Sequence, residues 1–246
     1  MRIIISPAKK MNAKEEVLPY KNLPVFLDRT KMILRWMQSL TLKEAKTLWG
    51  CNDKLALQNY ERIRDMELKQ RLTPAILSYE GIQYQYMAPT VFEEDMLSYI
   101  EEHLRILSGF YGVLKPMDGV TPYRLEMQAK TVIGETVGLY NFWGSSLYEE
   151  VADDSHVIVN LASKEYSKCI EPYLKQEDRF ITCVFGELSG GKVVQKGVYA
   201  KMARGEMVRF MAEKEMTDVE EMKSFHRLGY QFCEARSTEE KFVFLK

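Results

Sequence analysis

Six residues, His156 to Leu161 (HVIVNL), run straight into Ala162-Ser163-Lys164-Glu165-Tyr166 with no linker between them. The first part is a short apolar run and reads as a buried strand. The second opens on a serine with N-cap chemistry and carries an acid in its first turn, where the helix dipole favours negative charge. A strand that feeds a capped helix is an α/β unit. Arg2 to Ile5 is a second buried strand, stopped by Ser6-Pro7. Ser6 caps the turn there, or Lys9 is held at a strand's carboxyl end, where α/β sheets bind ligands. Ser6-x-x-Lys9 has the spacing of a penicillin-binding-protein nucleophile, but no Ser-Asp-Asn or Lys-Thr-Gly element follows.

Elsewhere the pattern alternates. Leu23 to Leu40 and Leu42 to Trp49 carry apolar stripes at helical spacing, the second capped by Thr41. Gly50-Cys51-Asn52 breaks the run and Asp53 caps a third helix. Two short helices about a glycine turn resemble a helix–hairpin–helix, which grips DNA backbone through amides, with Lys46 and Lys54 flanking the grip. The same pattern describes a plain αα-corner. Pro74 to Tyr79 reads as a strand, Glu93 to Leu107 as a helix, and Gly138 to Val151 as another. Arg179 to Leu188 and Lys192 to Val198 alternate as a hairpin about Ser189-Gly190-Gly191. Gly186 to Lys192 spells Gly-x-x-x-x-Gly-Lys, but Val193 supplies no hydroxyl for magnesium and a strand follows, so no P-loop is expected. Val198 to Lys214 is a helix, Thr217 caps a short one, and Tyr230 to Glu234 pairs with Lys241 to Leu245. The expectation is one α/β domain over residues 1–246, a mixed sheet with surrounding helices and a helical lobe inserted at about 23–68.

Leu107 to Met127 (LSGFYGVLKPMDGVTPYRLEM) cannot be an ordinary helix, because Gly109, Gly112, Pro116, Gly119 and Pro122 interrupt it. It reads as a specified irregular backbone that carries polar side chains. In an extended segment Arg124 and Glu126 share a face. They make either a structural ion pair or a held guanidinium ready for an anion such as phosphate. Lys201 and Arg204 are helix neighbours, and Gly205 beside them signals close approach by another backbone or by a ligand.

Composition narrows the classes. The formal net charge of −1 excludes a protein basic all over but leaves room for a local basic patch. No apolar run is long enough to cross a membrane, and the apolar stretch at the start is too short for a signal peptide, so the expected location is the cytoplasm. The four cysteines and three histidines are scattered, with no Cys-x-x-Cys pair. Neither a metal site nor a cofactor is expected.

Five motifs occur in register: Ser6-Pro7-Ala8-Lys9; Leu107 to Pro116; Pro122-Tyr123-Arg124-Leu125-Glu126-Met127; Asn160 to Tyr166; and Lys201-Met202-Ala203-Arg204-Gly205. Together they resemble the YaaA family of bacterial peroxide-stress proteins over nearly the whole chain. The resemblance implies a cytosolic protein that limits free intracellular iron under hydrogen peroxide. It also implies a single α/β domain with a positive cleft, a helix–hairpin–helix element and affinity for DNA. In chemical terms Lys9, Arg124, Lys201 and Arg204 would bind phosphate in that cleft. Ser6, Tyr111, Tyr123, Ser163, Tyr166 and Gly205 would line it, and Glu126 and Glu165 would orient the cations. The partner expected is duplex DNA held by its backbone, and the chain is expected to be a monomer. Two other readings stay open: an enzyme on a nucleic-acid or phosphorylated substrate, with Glu126 or Glu165 as general acid/base, and direct iron binding by carboxylates.

Overall fold

Ile3, Ile4 and Ile5 are all fully buried. A strand buried on both faces has to sit inside a parallel sheet with helices on either side. A computed structural model describes residues 1–14 and 18–246 and shows this arrangement. Arg2–Ile5 pairs in parallel with Leu104–Ser108 on one side and Val157–Leu161 on the other. Beyond Val157–Leu161 lie Arg179–Ser189 and then Lys241–Leu245, both parallel. Antiparallel strands close the two edges, Gln231–Phe232 beside Lys241–Leu245 and Gly112–Leu114 beside Leu104–Ser108. Lys192–Val194 folds back on the end of Arg179–Ser189 as the expected hairpin. The fold is therefore α/β with a mixed sheet.

Helices cover the sheet. The long Gly197–Glu213 helix packs on Ile82–Met87 and on Arg179–Ser189. Leu27–Ser39, Leu42–Trp49 and Asp53–Arg64 form a three-helix segment. Their apolar sides, through Ile33, Ala45 and Ile63, belong to one hydrophobic cluster that runs on to Phe244. Among the described residues, no helix is long and apolar enough to cross a membrane.

Several elements differ from the sequence reading, each for a local reason. Helix Glu94–His103 stops early, and Leu104–Ser108 becomes a sheet strand with all five residues buried. Leu104 and Leu107 satisfy helical spacing, but the register of Leu104 and Ile106 against Ile3 and Ile5 on the open side of the first strand decides the outcome. Pro74–Tyr79 is not one strand: Thr73–Pro74 bridges to Gly119–Val120, and Ala75–Ser78 makes a single helical turn. Gly144 splits Gly138–Val151 into Leu139–Trp143 and Ser146–Val151. Asn52, not Asp53, caps the third helix, its side chain accepting from the Leu55 N–H. Asp218, not Thr217, caps a 3-10 turn at Val219–Ser224.

Candidate functional site

In the sheet, Arg2–Ile5 lies between the two strands its chain later supplies. At such a point the crossovers diverge and leave a crevice outside the carboxyl ends of the strands. Ser6, Ser108 and Ala162 stand at three adjacent strand ends. A cavity of about 410 Å³ opens above them.

Its floor is built from hydroxyls. The Ser6 Oγ accepts from the Ser163 N–H at 2.8 Å and donates to the Ser163 Oγ at 3.2 Å, tying two strand ends together. Ser163 occupies the N-cap position, but its side chain makes no capping bond because it is committed to Ser6. The Tyr84 hydroxyl donates to the Ser6 carbonyl at 3.0 Å. The Tyr123 hydroxyl bridges the Ser108 Oγ (2.6 Å) and the Tyr79 hydroxyl (2.9 Å). Burial pushes Tyr123 up to about 12 and raises Tyr84 and Tyr166 well above the ordinary phenol range, so these groups stay neutral. Gly109 allows the wall to form, since a Cβ there would lie 2.9 Å from the Leu125 carbonyl oxygen. A larger residue would lift the Arg124–Glu126 backbone off the strand end.

The charged groups sort into two kinds. Lys9 pairs with Glu126 at 2.5 Å, and Lys10 with Glu80 at 2.6 Å. Arg124 and Arg204 have no such partner among the described residues. The Nε of each is shut off from solvent without an acceptor, and so is the amide nitrogen of Gln83 on the same wall. Burial lowers the Arg204 pKa, although the neighbouring Cys183 works the other way. A guanidinium remains charged regardless, and a charge enclosed without a partner is unfavourable unless a ligand completes it. Lys201, one turn before Arg204, is exposed at the mouth. Among the described residues that line the cavity, the one carboxylate left unpaired by a cation is Glu165, which accepts from the Gln128 N–H at 3.3 Å. Burial raises its pKa, Glu126 adds to the shift, and Lys9 opposes it. Setting the two ion pairs aside, three cations face one reluctant carboxylate. The unpaired charge on the cavity is therefore net positive.

Ser6, Lys9, Tyr123, Arg124, Glu126, Ser163, Glu165, Tyr166, Lys201 and Arg204 all line the cavity. Four other expected residues lie elsewhere. Tyr111 is fully buried beneath the floor, its hydroxyl engaged by the Thr121 N–H at 3.0 Å and the Thr121 Oγ1 at 3.0 Å. Gly205 faces the Gln83 backbone and does not itself line the cavity, so the close approach signalled there is by another backbone. Lys46 pairs with Asp53 at 2.6 Å and Lys54 is exposed, and neither lines the cavity. The two helices that carry them form a corner with Gly50 in a left-handed turn and a capping box at Thr41. Glu126 is held by Lys9 and forms no ion pair with Arg124, so the guanidinium is not the one tethered. Sequence reasoning missed Lys10, Glu80, Gln83 and Tyr84, because the aromatic stretch after Gly81 shows no clean period; the adjacent Lys9-Lys10 pair was the available signal. Among the described residues, no three His, Cys, Asp or Glu side chains gather as a metal set.

Comparison with known proteins gives a consistent picture. Residues 1–236 match the family described as peroxide stress protein YaaA. A UPF0246 protein of Lachnoclostridium phytofermentans is 59% identical over 246 residues, covering 100% of this chain and 96% of its own. One from Agathobacter rectalis is 57% identical over 244 residues, covering 99% and 98%. Another, from Pediococcus pentosaceus, is 52% identical over 246 residues, covering 100% and 98%.

Proposed function

Since the chain belongs to the YaaA family of peroxide stress proteins, we propose that it binds duplex DNA through this cleft and so limits the damage that free intracellular iron does under peroxide. One observation carries the reading: the donor-bearing side chains of Arg124, Lys201 and Arg204 line one cavity, and none of them forms an ion pair among the described residues. A backbone phosphate brings several acceptor oxygens and a negative charge, which is what those donors lack. The cavity takes a phosphate with its sugar, and the double helix lies across the mouth, where Lys201 is exposed. Lys46 and Lys54 on the helical corner would add backbone contacts at the edge. Recognition of this kind is indifferent to sequence. The protective step then falls on the DNA itself, which is covered where iron and peroxide would attack it.

The test is anisotropy of a labelled duplex across a salt series. The logarithm of affinity should fall linearly with the logarithm of salt concentration, and Arg124→Ala and Lys201→Ala should each reduce the slope by about one. No binding at low salt sinks the reading. A second reading, an enzyme on a nucleic-acid or phosphorylated substrate, is favoured by the raised proton affinity of Glu165 beside the Lys9–Glu126 pair, the setting of a general acid. In that case Arg124→Ala or Lys201→Ala abolishes turnover while binding is largely kept.

A further inference from the structure

A second cavity of about 920 Å³ adjoins the first. Lys9 and Glu126 belong to the walls of both, so their ion pair is the partition between them. On the far side, Trp36 comes from the Leu27–Ser39 helix and Trp49 from the end of Leu42–Trp49. Trp49 is 6% exposed and sits in the wall, with an indole N–H that finds no acceptor among the described residues. Trp36 is half-buried and presents the accessible surface. Lys43 and Lys130 are exposed on the same groove, and neither forms an ion pair among the described residues. Glu44, the other acid lining it, is held by the Thr41 backbone and hydroxyl in the capping box. The groove is thus aromatic inside and positive at its edge, and it continues directly from the net-positive cavity.

We propose that this groove stacks the bases of an unpaired stretch of a DNA strand whose phosphate sits on Arg124 and Arg204. The proposal rests on the reading of the cleft as a backbone-phosphate site. From that phosphate the strand crosses the Lys9–Glu126 partition, and the following base meets Trp36, with Lys43 and Lys130 placed for the next phosphates. Aromatic stacking together with a cationic track is how proteins hold single strands without reading sequence, and one stacked base raises affinity by about tenfold. A duplex cannot enter the groove with its bases paired. The pairing of the two cavities therefore suits DNA that is locally open.

The experiment compares three labelled probes at one salt concentration: a short oligothymidylate, an abasic oligonucleotide of the same length, and a duplex. The wild-type protein should bind the oligothymidylate at least about tenfold more tightly than the abasic strand, with quenching of tryptophan emission. Trp36→Ala should bring the oligothymidylate down to the abasic level while abasic and duplex affinities stay within about twofold. Trp36→Phe, which keeps a ring in place, should restore most of the difference and guards against a variant that merely misfolds. Equal binding of oligothymidylate and abasic strand by the wild type overturns the stacking site while leaving the cleft intact. An unchanged ratio in Trp36→Ala does the same. If none of the three probes binds, the reading of the cleft falls and takes the groove with it.

Discussion

Gly205 and Gln83 touch backbone to backbone: a Cβ built on the glycine would lie 2.1 Å from the glutamine's carbonyl oxygen. The contact presses the Gly197–Glu213 helix onto Ile82–Met87. It fixes how far Arg204 reaches and brings the unpartnered Gln83 amide onto the same cavity. Gly205→Ala must therefore push the two helices apart. Overpacking costs about 1–3 kcal/mol, and the upper end applies because the obstructing atom is backbone. Helix propensity returns roughly 1 kcal/mol. The expected net loss is about 2 kcal/mol in urea unfolding, with a parallel loss of duplex affinity as Arg204 shifts. Unchanged stability would show that the helices do not meet at this glycine.

Arg204→Met separates folding from binding. The guanidinium is largely buried and has no carboxylate opposite it among the described residues. Replacing an uncompensated buried charge by an apolar side chain of similar length should raise the melting temperature in phosphate-free buffer. Duplex affinity should fall by about tenfold or more, because a charge-assisted donor is gone. A variant that loses both stability and binding would make Arg204 a structural residue.

Glu165 should make binding depend on pH. Its carboxyl is raised chiefly by burial, with Glu126 adding to the shift, against the Gln128 N–H and Lys9. As pH falls through that raised value, the cleft loses a negative charge, and the proposed binding of phosphate should strengthen. Glu165→Gln should bind duplex more tightly than the wild type at neutral pH, by roughly fivefold, the effect of one unit charge a few ångströms away in a wet site. The pH dependence should flatten in the variant. Equal profiles for the two proteins would remove Glu165 from the cleft's electrostatics.

Asp118 links stability to pH at a distance from the cleft. It is 3% exposed, accepts from the Lys115 N–H at 2.8 Å, and is pushed up to about 7. Burial is the main cause and Glu101 adds to it, while the Lys115 backbone bond, the Lys115 charge and Arg105 pull the other way. A folded-state value above the unfolded one means that this group favours the fold fully below about pH 4 and loses that contribution as pH rises through about 7. By linkage the loss amounts to up to about 4 kcal/mol. Asp118→Asn keeps an acceptor for Lys115 and removes the titration. It should match the wild type in acid and exceed it at pH 8, read as the difference between the two urea midpoints. A difference that does not change with pH would place the ordinary carboxylate value on Asp118.

Much of this was legible in the sequence where one residue type has one use. Ile3 to Ile5 and Ile158 to Leu161 carry apolar runs that only a buried parallel strand accommodates, so the α/β class followed. Ser6, Arg124, Ser163 and Arg204 were gathered by the motifs that resemble the YaaA family, and the fold brings all four to one cavity. What stayed hidden depends on partners distant in sequence. Leu104 to Ser108 fits a helical stripe and becomes a strand only beside Arg2–Ile5. Tyr111 looks like a site residue among glycines and prolines, yet its hydroxyl is consumed by Thr121. Lys10 and Glu80 meet across 70 positions through the short pairing of Lys10–Met11 with Tyr79–Glu80, which no local pattern announces.

For a member of a peroxide stress family, the thiols pose a direct question. Cys169 and Cys183 are 3% and 1% exposed, and burial pushes each up to about 12. Glu165 reinforces the shift at Cys169, whereas Arg204 opposes it at Cys183. Peroxide oxidises the thiolate and needs access to it. At neutral pH roughly one such thiol in 10⁵ is ionised, and neither meets solvent. Cys51 and Cys233 are only partly covered. Peroxide treatment of the native protein followed by a sulfenic-acid trap and mass spectrometry should therefore mark Cys51 and Cys233 first, with Cys169 and Cys183 marked only after unfolding. Trapping at Cys169 or Cys183 in the folded protein would mean that the core opens to peroxide. Cys183 would then report directly on Arg204, because oxidation there adds polar bulk against the guanidinium that the cleft depends on.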